Sequence, residues 1–123
     1  MGVDNLIKVF EDKYYSNLSG GILEAFGKLF KHNIEIYLYP LIKGEKLIDS
    51  SNLQVEDNMK NLYKYFKDNL KIRDIENFNK SLLSIYSWEV LEEIKNNSPG
   101  WEQKLPESIS KLIKEKKLFG YSN

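Results

Sequence analysis

Cysteine is absent from the 123 residues. Disulfides, thiolate nucleophiles and zinc–sulfur centres are therefore excluded. Histidine occurs once, at His32, which rules out a multi-histidine metal site. Arginine also occurs once, at Arg73. Arginine is the side chain best shaped for bidentate contacts to phosphates and bases, so its scarcity argues against a nucleic-acid partner. The charge balance points the same way: 18 basic and 18 acidic residues give no net excess, where a nucleic-acid domain shows a basic one. No apolar run approaches the 18 residues that a membrane span needs. The first ten residues hold Asp4 and Lys8 and lack the uninterrupted apolar core of a secretion signal. A soluble, cytoplasmic protein with no membrane partner is the expectation.

What is present suits a folded core. Hydrophobic residues make up 41% of the chain and aromatic ones 13%, enough to fill one core in a single domain over 1–123. The clearest strand signal is 33–40. Ile34, Ile36 and Leu38 share one face at period 2; Glu35, Tyr37 and Tyr39 share the other. Both faces carry apolar or aromatic mass, which predicts cover on both sides. Pro40 ends the run because it has no N–H for a ladder. A lone strand cannot satisfy its own backbone, so it needs a partner.

Most of the remainder reads as helix. Leu6, Ile7, Phe10 and Tyr14 predict one over 4–15, with Asp4 as its N-cap. Ile22, Phe26, Leu29 and Phe30 predict a second, with Gly27 inside it where a close helix contact or simple tolerance would explain it. Around Gly44, 41–48 is either a hairpin or an irregular excursion. Leu62, Tyr63, Phe66 and Leu70 mark a helix over 56–69; 72–78 reads as a connector with Asp74 and Glu76 exposed. Leu82, Leu83, Tyr86, Val90, Leu91 and Ile94 predict a helix over 80–95, stopped by Asn96-Asn97-Ser98-Pro99-Gly100. Trp101 then anchors a loop, and Pro106 opens the last helix, which Phe119-Gly120-Tyr121 caps. The fold class is mainly α with a minor β element: four to five helices packed around one short strand or hairpin.

Chemistry is thinly represented. His32 has no triad partner or metal motif near it in sequence. Gly20 and Gly21, at a helix start, are the candidates for an anion-binding turn, although no complete glycine-rich phosphate motif occurs. Glu11, Asp12, Glu24, Glu92 and Glu93 read as solvated carboxylates rather than as a general acid–base pair. The lysines at 114, 116 and 117 read as a wet helix face. No catalytic residue, metal or cofactor is expected in this chain. Phe26, Phe30, Ile36, Leu38, Leu62, Phe66, Tyr86, Trp101 and Phe119 are the expected packing or interface residues.

Several segments together carry a resemblance: 11–15 (EDKYY), 20–30 (GILEAFGKLF after Gly20), 37–40 (YLYP), 61–65 (NLYKY), 83–87 (LSIYS), 99–102 (PGWE) and 113–121 (IKEKKLFGY). They resemble the C-terminal part of a family of larger, mostly uncharacterised proteins labelled nicotinate- or nicotinamide-nucleotide adenylyltransferase-like. The resemblance implies that 33–40 is a strand of a larger α/β sheet with its neighbours upstream, and that Met1-Gly2-Val3 follows directly on a strand. The H-x-G-H-like and S-x-R-type motifs of such transferases do not occur here, and Trp88 stands where a basic residue is usual after the serine. The resemblance therefore implies an enzyme whose catalytic motifs lie outside this chain. From the residues themselves, the expectation is a non-catalytic helical accessory or assembly module. Its partner would be the remainder of a larger α/β protein or, in a stand-alone homodimer, a second copy paired along the 34–39 edge.

Overall fold

The strand signal condenses into β1 (Ile36–Leu38), whose partner is a segment that the sequence pattern hides. In the computed structural model, which describes residues 1–122, β1 pairs in parallel with β4 (Ile72–Asp74) in the register Ile36↔Ile72, Tyr37↔Arg73, Leu38↔Asp74. On its other side, Gly2 bridges Tyr39, also in parallel. The Met1 amino group donates to the Tyr37 carbonyl at 2.7 Å, and the Tyr39 N–H donates to the Met1 carbonyl at 2.7 Å. β1 is thus the central member, and the edge expected to pair with a second copy carries partners from its own chain on both sides. The expected connector over 72–78 is corrected in the same stroke: its first residues are β4.

Between β1 and β4 lies an antiparallel hairpin, β2 (Leu41–Lys43) with β3 (Lys46–Ile48). Lys43 faces Lys46 across a two-residue loop, and Gly44 takes φ +64°. That left-handed first position suits the primed turns whose twist matches a hairpin.

The described residues form two compact units, Met1–Lys80 and a second beginning at Ser81. The expectation of one core gives way to two apolar clusters. In the first unit, α1 (Val3–Val9), α2 (Gly21–Leu29) and α3 (Lys60–Asp68) pack with Ile36, Leu38 and Ile72 in one cluster. Phe10 is its hub: its ring meets Phe26 edge-on at 5.0 Å and Tyr63 at 5.3 Å. Phe30, half-buried, stacks on Phe66 at 4.5 Å. Each fully buried side chain of this size contributes about 1.5–3 kcal/mol.

The second unit holds α4 (Ser87–Lys95) and α5 (Glu107–Lys116) around Val90, Ile94, Trp101 and Ile113. Gly100, at φ +99°, makes the turn that sends Trp101 inward. Tyr121 meets the indole edge-on at 5.8 Å, and the Lys114 ammonium lies 5.5 Å from its ring centre. Among the described residues there are five α-helices and four strands, so the fold is mainly α with a minor β element. None of these helices is long and apolar enough to cross a membrane.

Other boundaries moved for local reasons. The 4–15 helix stops at Val9, and a 3-10 turn follows over Asp12–Tyr15. The 80–95 helix begins only at Ser87, which leaves Tyr86 half-buried and extended at its entry. Gly27 has nothing within 4 Å of an added Cβ, so close packing does not explain it. Phe119, expected to pack, is 59% exposed and sits at φ +56°.

Candidate functional site

The sheet is covered on one face only. Alternation sends Ile36, Leu38 and Ile72 into the core and Tyr37 and Arg73 outward. Tyr37 is 54% exposed and Tyr39 37%, and Glu35 on the same face is exposed as well. Among the described residues of the first unit, the cover expected on both sides of the strand is therefore missing from one of them. Arg73 Nε lies 3.1 Å from a Glu35 carboxylate oxygen, a half-exposed pair across the bare face. Tyr39 approaches Phe78 at 6.5 Å. Parallel sheets are otherwise found with both faces buried, because their crossover connections lie on the faces.

At the carboxyl end of β4 a polar knot ties the sheet to the loop after β3. Asp74, expected to be exposed, is half-buried and accepts two hydrogen bonds from Ser50, from its N–H at 2.9 Å and its hydroxyl at 2.6 Å. The Tyr63 hydroxyl donates to the Ser50 carbonyl at 2.7 Å. Burial pushes the Tyr63 phenol well up from its ordinary value, and the charges of Asp74 and Asp49 add to the shift. Asp49 accepts from the Ser51 hydroxyl at 2.6 Å and from the Ser51 N–H at 2.8 Å. The Ser51 hydroxyl holds the Asp49 carboxyl below the usual range against partial burial, with Ser51 and Asn52 amides and the Lys67 charge contributing further. The sequence showed only a polar turn cluster at 49–52. Its link to Asp74 spans 24 residues and has no local signature.

A trough of about 630 Å³ runs along β4. Tyr37 bounds it on the bare face; Ser50 and Lys67 bound it on the helical side. The trough therefore straddles the outer edge of the sheet. By the alternation of a parallel ladder, Arg73 turns its backbone groups toward β1, and Ile72 and Asp74 turn theirs outward into the trough.

The glycine pair has a different role. The Gly20 N–H donates to a Glu24 carboxylate oxygen at 2.9 Å, and Lys28 holds the other oxygen at 2.6 Å. The Lys28 hydrogen bond, and after it the Gly20 amide, lowers the Glu24 pKa. The chain's own carboxylate thus occupies the Gly20 amide, which an external anion would otherwise use. Gly21 adopts φ +57°, a conformation that favours glycine in its own right.

Several other polar groups are engaged structurally. The Ser50 hydroxyl is buried and committed to Asp74. His32 is exposed, just before the segment that leads into β1. Glu11 and Glu93, expected to be solvated, are half-buried and paired with Lys13 and Lys104 respectively. Lys114 pairs with Glu102 at 2.7 Å. Among the described residues, no group of three or more His, Cys, Asp or Glu side chains could hold a metal ion. Of the expected packing residues, Phe26, Ile36, Leu38, Phe66 and Trp101 are buried; Phe30, Leu62 and Tyr86 are half-buried. No protein family matches the chain, and neither a curated protein nor a solved structure matches it.

Proposed function

We propose that this chain is a non-catalytic accessory and assembly module, whose bare sheet face is covered by the remainder of a larger α/β protein. The observation that supports the reading is a parallel sheet, β4–β1–Gly2, with its helices on one side and Tyr37, Tyr39 and Arg73 open on the other. Burying such a face is what a parallel sheet ordinarily requires. Tyrosine suits the contact, since it combines a large apolar ring with a polar tip.

Tyrosine nitration mapped by mass spectrometry tests the reading, with absolute mass from light scattering alongside. In the isolated chain, Tyr37 and Tyr39 react as exposed phenols. In the native assembly, recovered from source cells through a tag, both are protected. An unprotected Tyr37 in that assembly overturns the proposal, and a concentration-dependent homodimer that protects it reassigns the cover to a second copy.

A second reading is that the module belongs to a nicotinate- or nicotinamide-nucleotide adenylyltransferase-like enzyme whose catalytic motifs lie elsewhere. The parallel order of Gly2, β1 and β4, with connecting helices on one face, favours it, because that is the layout of one half of a doubly wound nucleotide-binding sheet. Titration with ATP or nicotinate mononucleotide, followed by amide NMR, is the test. Absence of shifts at Gly20, Gly21 and Asp74 at millimolar ligand removes this reading.

A further inference from the structure

We propose that a hollow on the second unit, between α4 and the turn at Leu118–Gly120, is the contact between two copies of this chain related by a two-fold axis. The surface is a different one from the bare sheet face, and the inference does not rest on the cover of that face.

Helix period builds the patch. Val90 and Ile94 turn into the core of the unit, so Trp88, Leu91, Glu92 and Lys95 share the opposite face of α4. The turn closes the Lys95 end: a Cβ added at Gly120 would stand 3.3 Å from the Lys95 Cγ. Trp88 is 60% exposed, Leu91 45% and Phe119 59%, and together they line a hollow of about 490 Å³. Tyr86 stacks on the indole at 6.0 Å, which steadies it in its exposed position. Phe119 is held at φ +56°, a left-handed conformation unfavourable to an aromatic residue, with little burial to offset it. Three large apolar side chains kept together in water in this way mark a contact surface.

The charges on the patch identify its occupant. It carries one acid and one base, Glu92 and Lys95, and neither side chain takes part in an ion pair among the described residues. A partner charged with one sign is attracted by one of them and repelled by the other. A surface that carries both, in reverse order, is attracted by both. The patch itself is such a surface. Antiparallel pairing of α4 with the α4 of a second copy sets the Trp88 end of each helix against the Lys95 and Phe119 end of the other, and brings Glu92 of each toward Lys95 of the other. The six glutamates and six lysines of the unit leave no net charge to hold two copies apart.

The area suits a dimer of modest strength. Buried in both copies, Trp88, Leu91 and Phe119 remove about 700 Å² of apolar surface; with the usual polar share the interface totals about 1,100–1,200 Å², the small end of specific contacts. The unit itself has only about 40 residues around four clustered buried side chains, a size at which folds commonly draw on oligomerisation for added burial.

Sedimentation velocity of the full chain across concentration is the test. A monomer–dimer equilibrium is expected, half dimeric at roughly 10–100 µM, as suits a contact of this size. Trp88→Glu should leave monomer throughout that range, and Phe119→Gly should weaken the dimer about tenfold or more. Both positions are exposed, so circular dichroism should be unchanged. Glu92→Lys and Lys95→Glu should each weaken the dimer about three- to tenfold. An equimolar mixture of these two variants should pair more tightly than either alone, because one then carries two bases on the patch and the other two acids. A chain still monomeric at about 1 mM overturns the proposal. So does a dimer that Trp88→Glu leaves intact, or a mixture that pairs no better than its components.

Discussion

Replacing Asp74 by alanine probes the polar contact that joins β4 to the loop following the hairpin. The carboxylate accepts both the N–H and the hydroxyl of Ser50, at 2.9 and 2.6 Å, and Ser50 is only 7% exposed. A hydrogen bond to a charged group is worth about 1.5–3 kcal/mol, and a buried donor left without a partner carries its own desolvation cost. Two such donors lose their acceptor together, but they share one carboxylate and the loop can relax toward water, so the expected loss is about 3 kcal/mol. A unit of this size has a total stability of roughly 4–12 kcal/mol, so the change is a large fraction of it. Asp74→Asn retains one acceptor for the Ser50 N–H and lets the hydroxyl reverse its role, which limits its loss to about 1 kcal/mol. Both tryptophans, Trp88 and Trp101, belong to the second unit, so indole fluorescence reports on the wrong part of the chain. Urea unfolding should instead be followed by the amide signals of Ile36 and Ile72. A double-mutant cycle with Ser50→Ala should return a coupling of about 1–2 kcal/mol. A loss below about 0.5 kcal/mol for Asp74→Ala, or equal losses for Ala and Asn, would refute the reasoning.

Gly27→Ala should raise the midpoint of the first unit's unfolding by an amount equivalent to about 0.5–1 kcal/mol, because the site is helical, exposed and open to a Cβ; a loss would show a contact at that face. In the second unit, Trp101→Ala should cost about 3–5 kcal/mol in denaturant unfolding, since the indole is 2% exposed at the centre of its cluster. Phe119→Gly should be neutral or stabilising by up to about 1 kcal/mol, because it releases a left-handed aromatic residue that buries little; a loss above about 2 kcal/mol would restore the packing role. The Tyr63 pKa is raised on folding, so its contribution is complete below the unfolded-state value near 10 and is lost as the pH rises toward the folded one. Ultraviolet titration should accordingly show one phenol that ionises only as the first unit opens, and Tyr63→Phe should remove that late step. Asp49 and Glu24 have the opposite sign: their folded pKa values are lowered, so their contributions are complete above about pH 4–5 and fade as the pH falls through the folded values.

The residues differ in how far they disclose these features. β1 was legible because three apolar residues alternate over Ile34, Ile36 and Leu38, and the hairpin reading at Gly44 rested on a glycine between two apolar pairs. β4 was not: Ile72-Arg73-Asp74 has a single apolar member, too short a pattern for any period, and only pairing with β1 makes it a strand. The continuous apolar spacing through Leu82, Leu83 and Tyr86 suggested a helix from 80, yet the chain takes a 3-10 turn over Lys80–Leu82 and is extended at Tyr86. Periodicity registers burial there; it does not register the backbone that achieves it. Leu83 illustrates this, being 3% exposed outside any α-helix. The Ser50–Asp74–Tyr63 knot was illegible for another reason: each of its residues is ordinary locally, and the chemistry arises from separations of 24 and 13 residues.

The bare face and the outer β4 edge are separable surfaces: a group that filled one would not cover the other. An added strand satisfies Ile72 and Asp74 but lies in the plane of the sheet, so it leaves Tyr37 and Arg73 uncovered over most of their exposed side. A helix or second layer laid over the face buries Tyr37 and Tyr39 but cannot reach the outward N–H groups of β4, which lie perpendicular to that direction. Nitration of Tyr37 and exchange at Ile72 therefore report on two contacts independently. Protection of Tyr37 alone identifies a layer packed on the sheet, protection of Ile72 alone identifies strand addition, and protection of both requires a partner that extends the sheet and covers it. Only that last arrangement leaves the parallel sheet with both faces buried and its β4 edge filled.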